Sequence, residues 1–275
     1  MFATRLKSGI ILVLLAFGLI MAGGPVLCVS LLLISWVGMY ELYRIFKIEK
    51  EPLGIVGYVM AAGIYLYLYF KPEGSTGILM ILLLSIIAIL AVYVFTFPKF
   101  KTEKVLGTFF GVVYVALMLS YIYRTRQLDN GILVWLVFLS SWGCDTCAYC
   151  AGITLGRNGK HKMAPILSPK KSVEGGIGGV VGAVLLGALY GYFLVDATVL
   201  PNPVFSCAVV CGVGGLISMV GDLAASAIKR NYKIKDYGTL IPGHGGILDR
   251  FDSVIFTAPI IYYTLMLFMK GLAIL

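Results

Sequence analysis

Residues 226–252 read SAIKRNYKIKDYGTLIPGHGGILDRFD and lie between two strongly apolar segments. The stretch contains five basic residues, three Asp, one His and four Gly. Ionisable groups beside or within a membrane are costly and usually mark a functional site. A Gly-rich backbone, clustered Lys and Arg, and carboxylates that could hold a cation together favour a site for phosphate groups.

The chain around this stretch is strongly apolar. Of its 275 residues, 60% are hydrophobic and only 13% are charged, and the mean hydropathy is +0.95. A soluble domain is closer to half apolar and a quarter charged. The composition therefore predicts an integral membrane protein and leaves no soluble basic domain that could bind nucleic acid. The net charge of +9 is typical of basic loops on the inner face of a membrane and of attraction to anionic lipid headgroups.

The hydrophobic pattern predicts an all-α membrane protein with about nine spanning helices, because each crossing needs roughly 20 apolar residues. The predicted spans are approximately 8–22, 26–44, 52–70, 78–97, 106–123, 131–151, 174–195, 203–228 and 253–272. If the chain crosses the membrane at these nine spans, 18 Lys and Arg lie on the side of the N-terminus and four lie on the other side. The bias predicts a cytoplasmic N-terminus and a C-terminus outside. The first span is interpreted as a retained helix rather than a cleaved signal peptide.

Cysteine and glycine are concentrated in the apolar segments. Cys144, Cys147 and Cys150 have a spacing that resembles iron–sulfur or zinc ligands, but no further Cys or His pair lies nearby in sequence. We favour packing for these cysteines, with a metal or cluster as the alternative. The seventh span contains seven glycines, which predict close helix packing.

Three carboxylates stand out in or beside the predicted spans: Asp145, Asp222 and Asp249. On a helix, Asp222 would share one face with Ser226 and Lys229. Such acids can form a structural polar pair between helices, or a proton relay in a transporter. Their occurrence beside two basic loops on the same predicted side favours metal and phosphate chemistry instead.

Residues 242–250, PGHGGILDR, are typical of a phosphate-binding turn. Glycine allows close backbone approach, and successive N–H groups can form an anion-binding nest. A helix beginning near Ile247 would add further donors. Asp249 could hold Mg²⁺ against the phosphates, and His244 could donate to a phosphate oxygen.

Residues 168–175, SPKKSVEG, are a second candidate. Lys170 and Lys171 alone would be ordinary basic residues at a cytoplasmic helix end. Together with the first basic loop they predict a phosphate clamp. Tyr232 and Tyr237 are predicted to lie at the membrane interface, with stacking on a base as the alternative.

These residues closely resemble the signature of the phosphatidate cytidylyltransferases, the CDP-diacylglycerol synthases. The match runs Ser226-x-x-Lys229-Arg230-x4-Lys235-Asp236-x-Gly238, then His244-Gly245-Gly246-x-x-Asp249-Arg250-x-Asp252. Upstream blocks that also resemble the family are Trp142-Gly143-x-Asp145-x-x-Ala148-Tyr149, Ser168-Pro169-x-Lys171-Ser172-x-Glu174-Gly175 and Gly221-Asp222-Leu223. Bacterial members often carry an acid just before the signature Ser, where this chain has Ala225.

The resemblance implies the reaction CTP + phosphatidic acid → CDP-diacylglycerol + pyrophosphate, by in-line attack of the lipid phosphate on the α-phosphorus of CTP. It implies catalytic roles for Asp145, Lys171, Asp222, Lys229, Arg230, Asp249 and Arg250. It implies substrate binding by Ser168, Lys170, Ser172, Ser226, Lys235, Asp236, His244, Gly245, Gly246 and Asp252. Mg²⁺ is expected at Asp222 and Asp249, and a second cation is left open.

The resemblance also implies a multi-pass protein of a bacterial-type inner (cell) membrane, with its active site facing the cytoplasm. CTP, phosphatidic acid and membrane lipids are the expected partners, and a homodimer is left open. The motifs divide the chain into N-terminal membrane helices, 1–104, and a C-terminal membrane region that carries the catalytic residues, 105–275. The alternative function is a transporter or proton-coupled carrier that uses Asp145 and Asp222.

Overall fold

The computed structural model describes residues 2–71, 74, 76–156, 161–243 and 245–270, with side chains from Ser8 onward. Its helices are α1 (Phe2–Ala22), α2 (Gly24–Phe46), α3 (Pro52–Phe70), α4 (Thr76–Phe95), α5 (Thr102–Gly111), α6 (Met118–Arg126), α7 (Trp135–Phe138), α8 (Cys144–Thr154), α9 (Val173–Leu194), α10 (Pro203–Asn231) and α11 (Leu248–Met269). Two π-helical turns, Val112–Leu117 and Leu139–Gly143, join α5 to α6 and α7 to α8. Strands β1 (Lys162–Ala164) and β2 (Ser168–Ser172) form an antiparallel hairpin.

Seven helices of the described chain are long and apolar enough to cross a membrane. They are α2, α3, α4, the continuous helix Thr102–Arg126, α9, α10 and α11. The apolar part of α1, Ser8–Ala22, is shorter. The mostly helical membrane protein is therefore confirmed, while the count of nine spans and the orientation stay predictions.

The predicted span 131–151 differs from the structure. Helix begins at Trp135, passes through the π-helical turn Leu139–Gly143 and continues to Thr154. Because a π-helical turn contains more residues than an α-helical turn, side chains on its two sides do not follow the ordinary i, i+3 and i, i+4 spacing. Hydropathy could not reveal this turn, since all three pieces are helical.

Two charged segments that hydropathy assigned to loops are partly regular structure. Helix α11 begins at Leu248 rather than near residue 253, so Asp249 and Asp252 lie in its first turns. Helix α10 continues to Asn231, and its last turn contains Lys229 and Arg230. Basic side chains at a helix C-terminus and an acid in a first turn both complement the helix dipole.

The chain folds as two compact units. The first runs to Gln127 and includes Asp236–Phe251, and the second contains Leu128–Lys235 and continues from Asp252. This division reflects compactness, whereas the predicted boundary at 104/105 separated helices with motifs from helices without them. That boundary stays a prediction.

Helix α2 is central to the first unit, where it packs against α3, α5 and α6. The buried Tyr43 of α2 donates its hydroxyl to the carbonyl of Thr108 at 2.7 Å. A Cβ added at Gly57 or Gly111 would lie 2.3 Å from the Tyr43 side chain, so these glycines make room for the ring. Because α2 is packed on several sides, it can hold a polar group such as the Tyr43 hydroxyl away from lipid.

Helix α9 is central to the second unit, where it packs against both α8 and α10. A Cβ at Gly182 would lie 2.4 Å from the Cβ of Cys147, and one at Gly187 would lie 2.7 Å from that of Cys211. The predicted role of the glycines in close packing is therefore confirmed. The same contacts support packing for the cysteines that face them, whereas Cys150 is exposed.

Candidate active site

Five charged side chains of the second unit form one electrostatic group, the carboxylate–ammonium cluster: Asp145, Lys171, Asp222, Lys229 and Asp252. At its centre the ammonium of Lys171 donates to Oδ2 of Asp222 in an ion pair. Both side chains are only about a quarter exposed, at 27% and 24%. Screening by water is therefore weaker than at a free surface.

Local structure at the start of α9 sets the position of Lys171. The residue lies in β2, directly before Ser172, which is the N-cap of α9. The hydroxyl oxygen of Ser172 accepts a hydrogen bond from the N–H of Gly175 at 3.1 Å. Because this cap fixes where strand ends and helix begins, it orients the preceding lysine. Ser172, predicted to bind substrate, thus has a structural role in this fold.

A close approach of α10 and α11 brings Asp222 beside Asp252. A Cβ added at Gly221 would lie 2.9 Å from the carbonyl oxygen of Asp252 and 2.9 Å from Cβ of Phe256. Asp252 is only 8% exposed, and its carboxylate interacts with Asp222, Lys229 and Asp145. Asp252 therefore interacts with both Asp222 and Asp145, and the shared site of the three acids stays a prediction.

The charge of Lys171 is stabilised by the acids around it. Burial lowers the pKa of Lys171, but the carboxylates of Asp222, Asp145 and Asp252 raise it by more. The net pKa lies above the ordinary lysine value, so the ammonium stays protonated at neutral pH. A fixed cation among carboxylates can bind a phosphate. It can do so either in addition to its carboxylate partner or in place of it.

The Gly-rich loop, residues 237–247 of the first unit, carries a second set of carboxylate contacts. Oδ2 of Asp249 accepts the N–H of Tyr237 at 2.7 Å and the N–H of Gly246 at 3.0 Å. The two carboxylate oxygens of Glu41, on α2, accept the N–H of Ile247 at 3.0 Å and of Leu248 at 2.8 Å. These N–H groups, at the start of α11, are the ones that the sequence assigned to phosphate.

In this arrangement the predicted phosphate-binding turn already has anionic partners within the chain, and its role toward a substrate stays a prediction. The N–H of Gly246 and the first donors of α11 bond to carboxylates of the chain itself, so they are not open to a substrate anion in this conformation. The helix begins at Leu248, so the condition set for added donors, a helix start near Ile247, is met, although the predicted span began at 253. His244 lies outside the described residues.

The loop requires glycine at specific positions. Gly243 and Gly245 have φ of 77° and 89°, a region that L side chains rarely adopt, and the N–H of Ile241 donates to the carbonyl of Gly245 at 2.8 Å. At Gly238 and Gly246 the reason is space, because an added Cβ would lie 2.3 to 2.4 Å from the carboxylate of Glu41. The glycines thus serve a tight turn around an internal carboxylate.

The side chain of Tyr237 faces neither lipid headgroups nor a substrate base in this structure. Its side chain is fully buried, at 0% exposure, and its carbonyl accepts a hydrogen bond from Nη2 of Arg44 at 2.6 Å. Tyr232 is exposed. Hydropathy could not separate the two tyrosines, because both occur in the same charged stretch.

The other predicted residues occupy varied environments. Ser226 is half-buried on α10, the helix of Asp222, and Arg250 is half-buried on α11. Four of them are exposed: Lys170, Arg230, Lys235 and Asp236. Ser168 pairs with Ala164 in the hairpin. Nε of Arg250 is buried and has no hydrogen-bond partner among the described residues, so the guanidinium has capacity for a ligand.

The most important residue that sequence reasoning missed is Glu41. The signal was present, because Glu41 is a lone acid within the predicted span 26–44, where a charge is costly. A hydrogen-bonding contact between Nδ1 of His161 and Oε1 of Glu174, at 2.7 Å, was also not foreseen. Ala225, where the family often has an acid, is fully buried in α10, so an acid there would have to be desolvated.

Comparisons with known proteins show the family of the chain. A model of the cytidylyltransferase family matches residues 3–268. The chain is 30% identical over 270 residues to a phosphatidate cytidylyltransferase of Bacillus subtilis, covering 96% of this chain and 97% of the relative. It is 31% identical to one of Staphylococcus epidermidis, covering 94% and 96%, and 30% identical to one of Synechocystis, covering 98% of each. The chain belongs to the cytidylyltransferase family.

Proposed function

We propose that this protein transfers the cytidylyl group of CTP to phosphatidic acid, forming CDP-diacylglycerol and pyrophosphate in phospholipid biosynthesis. The observation that carries the proposal is the carboxylate–ammonium cluster, in which two basic and three acidic side chains interact within a family of cytidylyltransferases. The relatives compared above are named phosphatidate cytidylyltransferases, which supports the same substrates here.

The reaction suits a site built from charge. An oxygen of the lipid phosphate attacks the α-phosphorus of CTP, a new P–O bond forms, and the bond to the β-phosphate oxygen breaks with its electron pair leaving on pyrophosphate. Such transfers depend on positioning and on stabilising charge. Lys171 and Lys229 would neutralise phosphate oxygens, and the exposed Arg230 and Lys235 would attract the triphosphate. The nucleophile is already an anion, so no strong general base is needed.

Mg²⁺ is part of the proposal. Carboxylate oxygens are the protein ligands that Mg²⁺ prefers, and Asp222, with Asp145 and Asp252 around it, offers them. Among the described residues no group of three or more His, Cys, Asp or Glu could hold a metal ion. The proposal therefore assigns Mg²⁺ few protein ligands, with waters and substrate phosphates as the others, which is how this ion is usually bound. When bound, the ion would neutralise developing negative charge.

Asp249 fits the predicted metal role less well than Asp222. One of its oxygens already accepts two backbone N–H groups, at 2.7 and 3.0 Å. We therefore propose Asp222 as the main protein ligand and give Asp249 a role in holding the Gly-rich loop. A second cation is left open.

The apolar helices make this a multi-pass membrane protein. We propose the bacterial-type inner membrane as its location. We propose the cytoplasmic side for the cluster, because basic residues are concentrated in the polar segments that contain Lys171 and Lys229. CTP would then arrive from the cytoplasm and phosphatidic acid from the leaflet. Self-association into a homodimer is a further proposal, to be tested by the mass of the purified protein.

The proposal is tested by incubating the purified protein in detergent with CTP, phosphatidic acid and Mg²⁺. Release of pyrophosphate and formation of CDP-diacylglycerol in equal amounts is expected, and neither should form without the lipid. If no CTP is consumed while the protein in vesicles dissipates a solute or proton gradient, the transporter alternative would replace the proposal. The comparisons do not support that alternative.

A further inference from the structure

Glu41 is an acid in an otherwise apolar helix. It lies on α2, is only 4% exposed, and uses both carboxylate oxygens to accept the N–H groups of Ile247 and Leu248. A buried carboxylate without hydrogen bonds would be strongly unfavourable. Here the two bonds offset part of its desolvation and also satisfy donors that a helix start leaves without intrahelical partners.

The same helix contacts the Gly-rich loop a second time. Arg44, three residues after Glu41 and therefore on the same face of α2, donates to the carbonyl of Tyr237 at 2.6 Å. Glu41 thus holds the end of the loop and Arg44 holds its beginning. Gly238 and Gly246 lie against the Glu41 carboxylate so closely that neither position has room for a Cβ.

The location of this carboxylate has a chemical consequence. The N-terminus of a helix attracts anions through its exposed N–H groups and its dipole. At α11 that place is taken by Glu41, which repels a second anion. Arg250, in the first turn of the same helix, has a buried Nε with no hydrogen-bond partner among the described residues. The helix N-terminus is therefore not open to a substrate phosphate in this conformation, whereas the Arg250 guanidinium has capacity for one.

We propose that Glu41 is a positioning residue for cytidylyl transfer. It fills the anion site at the start of α11 with a carboxylate of the chain itself, and so sets the Gly-rich loop and the direction of Arg250 for a substrate phosphate. The part that concerns catalysis rests on the proposed function. It assigns a functional residue to the N-terminal helices, in which the family motifs are absent.

The first test compares Glu41→Gln with Arg250→Gln in the full-length protein. The amide keeps the size of Glu41 but removes the charge and replaces one acceptor oxygen with a donor that faces an N–H group. We expect Arg250→Gln to raise the KM of one of the two substrates. Glu41→Gln should raise the KM of that same substrate at least tenfold. The double variant should be no worse than Arg250→Gln alone, because both act through one contact. A purely structural defect would lower the active fraction and leave both KM values unchanged.

Conservative and control variants complete the kinetic test. Glu41→Asp keeps two acceptor oxygens and should recover part of the loss, whereas Glu103→Gln, at an exposed acid of α5, should behave like the original protein. If Glu41→Gln does not fold, Arg44→Gln replaces it with the same expectations, because Arg44 holds the other end of the loop. Independent, additive effects of Glu41→Gln and Arg250→Gln, or effects on different substrates, would overturn the proposal.

Hydrogen–deuterium exchange provides a measurement that does not depend on turnover. In Glu41→Gln, exchange of the Ile247 and Leu248 amides should become at least tenfold faster, while amides of α3 and α4 keep their rates. If the unaltered protein makes no CDP-diacylglycerol but this exchange still responds, the proposed function fails and the contact stands. If exchange is unchanged, the positioning role fails whatever the activity.

Discussion

The Gly-rich loop and the carboxylate–ammonium cluster use the same residue types for different purposes. In the loop, Glu41 and Asp249 accept hydrogen bonds from backbone N–H groups. In the cluster, Asp222 bonds to the side chain of Lys171, and Asp252 interacts with other charged side chains. Backbone partners hold a chain in one conformation, whereas an ammonium partner can exchange a carboxylate for a phosphate. The partner of an acid, rather than its place in a motif, indicates its role.

The sharpest test of this contrast is Asp222→Asn, for which we expect the largest loss of activity. The amide cannot hold the positive charge of Lys171 or a cation, so turnover should fall by about 10²–10³, the range for removal of one electrostatic contact to a transition state. The free energy of unfolding should change by only ~1 kcal/mol, because the ion pair is partly exposed. Pyrophosphate release and thermal unfolding measure the two quantities.

Asp196→Asn is the matched control for Asp222→Asn. Asp196 is an exposed acid in the connection between α9 and α10, where it accepts hydrogen bonds from Thr198. Its replacement should leave turnover within about twofold, as expected for surface positions away from special features. If both variants lost activity equally, a general effect of net charge would explain the result and the cluster would lose its special role.

Asp249→Asn should lower the free energy of unfolding more, and the turnover less, than Asp222→Asn does. An amide oxygen forms weaker bonds to the N–H groups of Tyr237 and Gly246 than a carboxylate does, so unfolding should become easier by ~1.5–3 kcal/mol. We expect turnover to fall only about tenfold at a temperature where the variant is folded, which corresponds to ~1.4 kcal/mol in the barrier. Denaturation curves and initial rates provide the comparison. An Asp249→Asn protein with unchanged stability and no activity would instead favour the metal role assigned from the sequence.

Gly221→Ala tests whether the cluster depends on the close approach of α10 and α11. The new methyl group would lie 2.9 Å from the Asp252 carbonyl oxygen and 2.9 Å from Cβ of Phe256, so the helices must move apart. We expect unfolding to become easier by ~1–3 kcal/mol and turnover to fall severalfold. In the control Gly212→Ala, the close contact is with a methyl group of Val184, which can shift. Equal turnover in the two variants would argue that spacing at Asp252 is unimportant.

Much of the fold could be predicted because the length of an apolar segment indicates where a membrane helix lies in the sequence. Helices α3, α9 and α10 begin within a residue of the predicted spans. The π-helical turn Leu139–Gly143 could not be predicted, since its residues, LSSWG, lie within one continuous predicted span and no simple sequence pattern separates a π-helical turn from an α-helical one. The start of α11 was placed too late, at 253, because the charged residues before it resembled a loop, although acids such as Asp249 are common in the first turn of a helix.

The members of the candidate site were easier to predict than their partners. Asp222 and Lys171 were identified from separate motifs, and the structure joins them in an ion pair. The partner of the α11 N-terminus could not be deduced, because Glu41 lies about 200 residues earlier and only the tertiary fold brings it there. A lone acid in an apolar span indicates function, but its sequence does not say which backbone groups it will bond.

The smallest expected effect is on the pH dependence of the rate. It distinguishes a Lys171 that stays charged during turnover from one that gives up its proton. The folded protein raises the pKa of Lys171, so the stabilisation from its charge is complete below the ordinary lysine value of ~10.4 and is lost only as the pH rises through the raised pKa. Between pH 6 and 9 the rate should therefore contain no contribution from deprotonation of Lys171. Lys171→Arg keeps a positive charge that cannot be removed in this range, so its normalised pH–rate profile should superimpose on that of the unaltered protein even if its absolute rate is lower. An alkaline fall below pH 9 that disappears in Lys171→Arg would show that the ammonium gives up its proton during turnover. The cluster would then supply an acid or a base, and its contrast with the Gly-rich loop would lie in proton transfer rather than in charge alone.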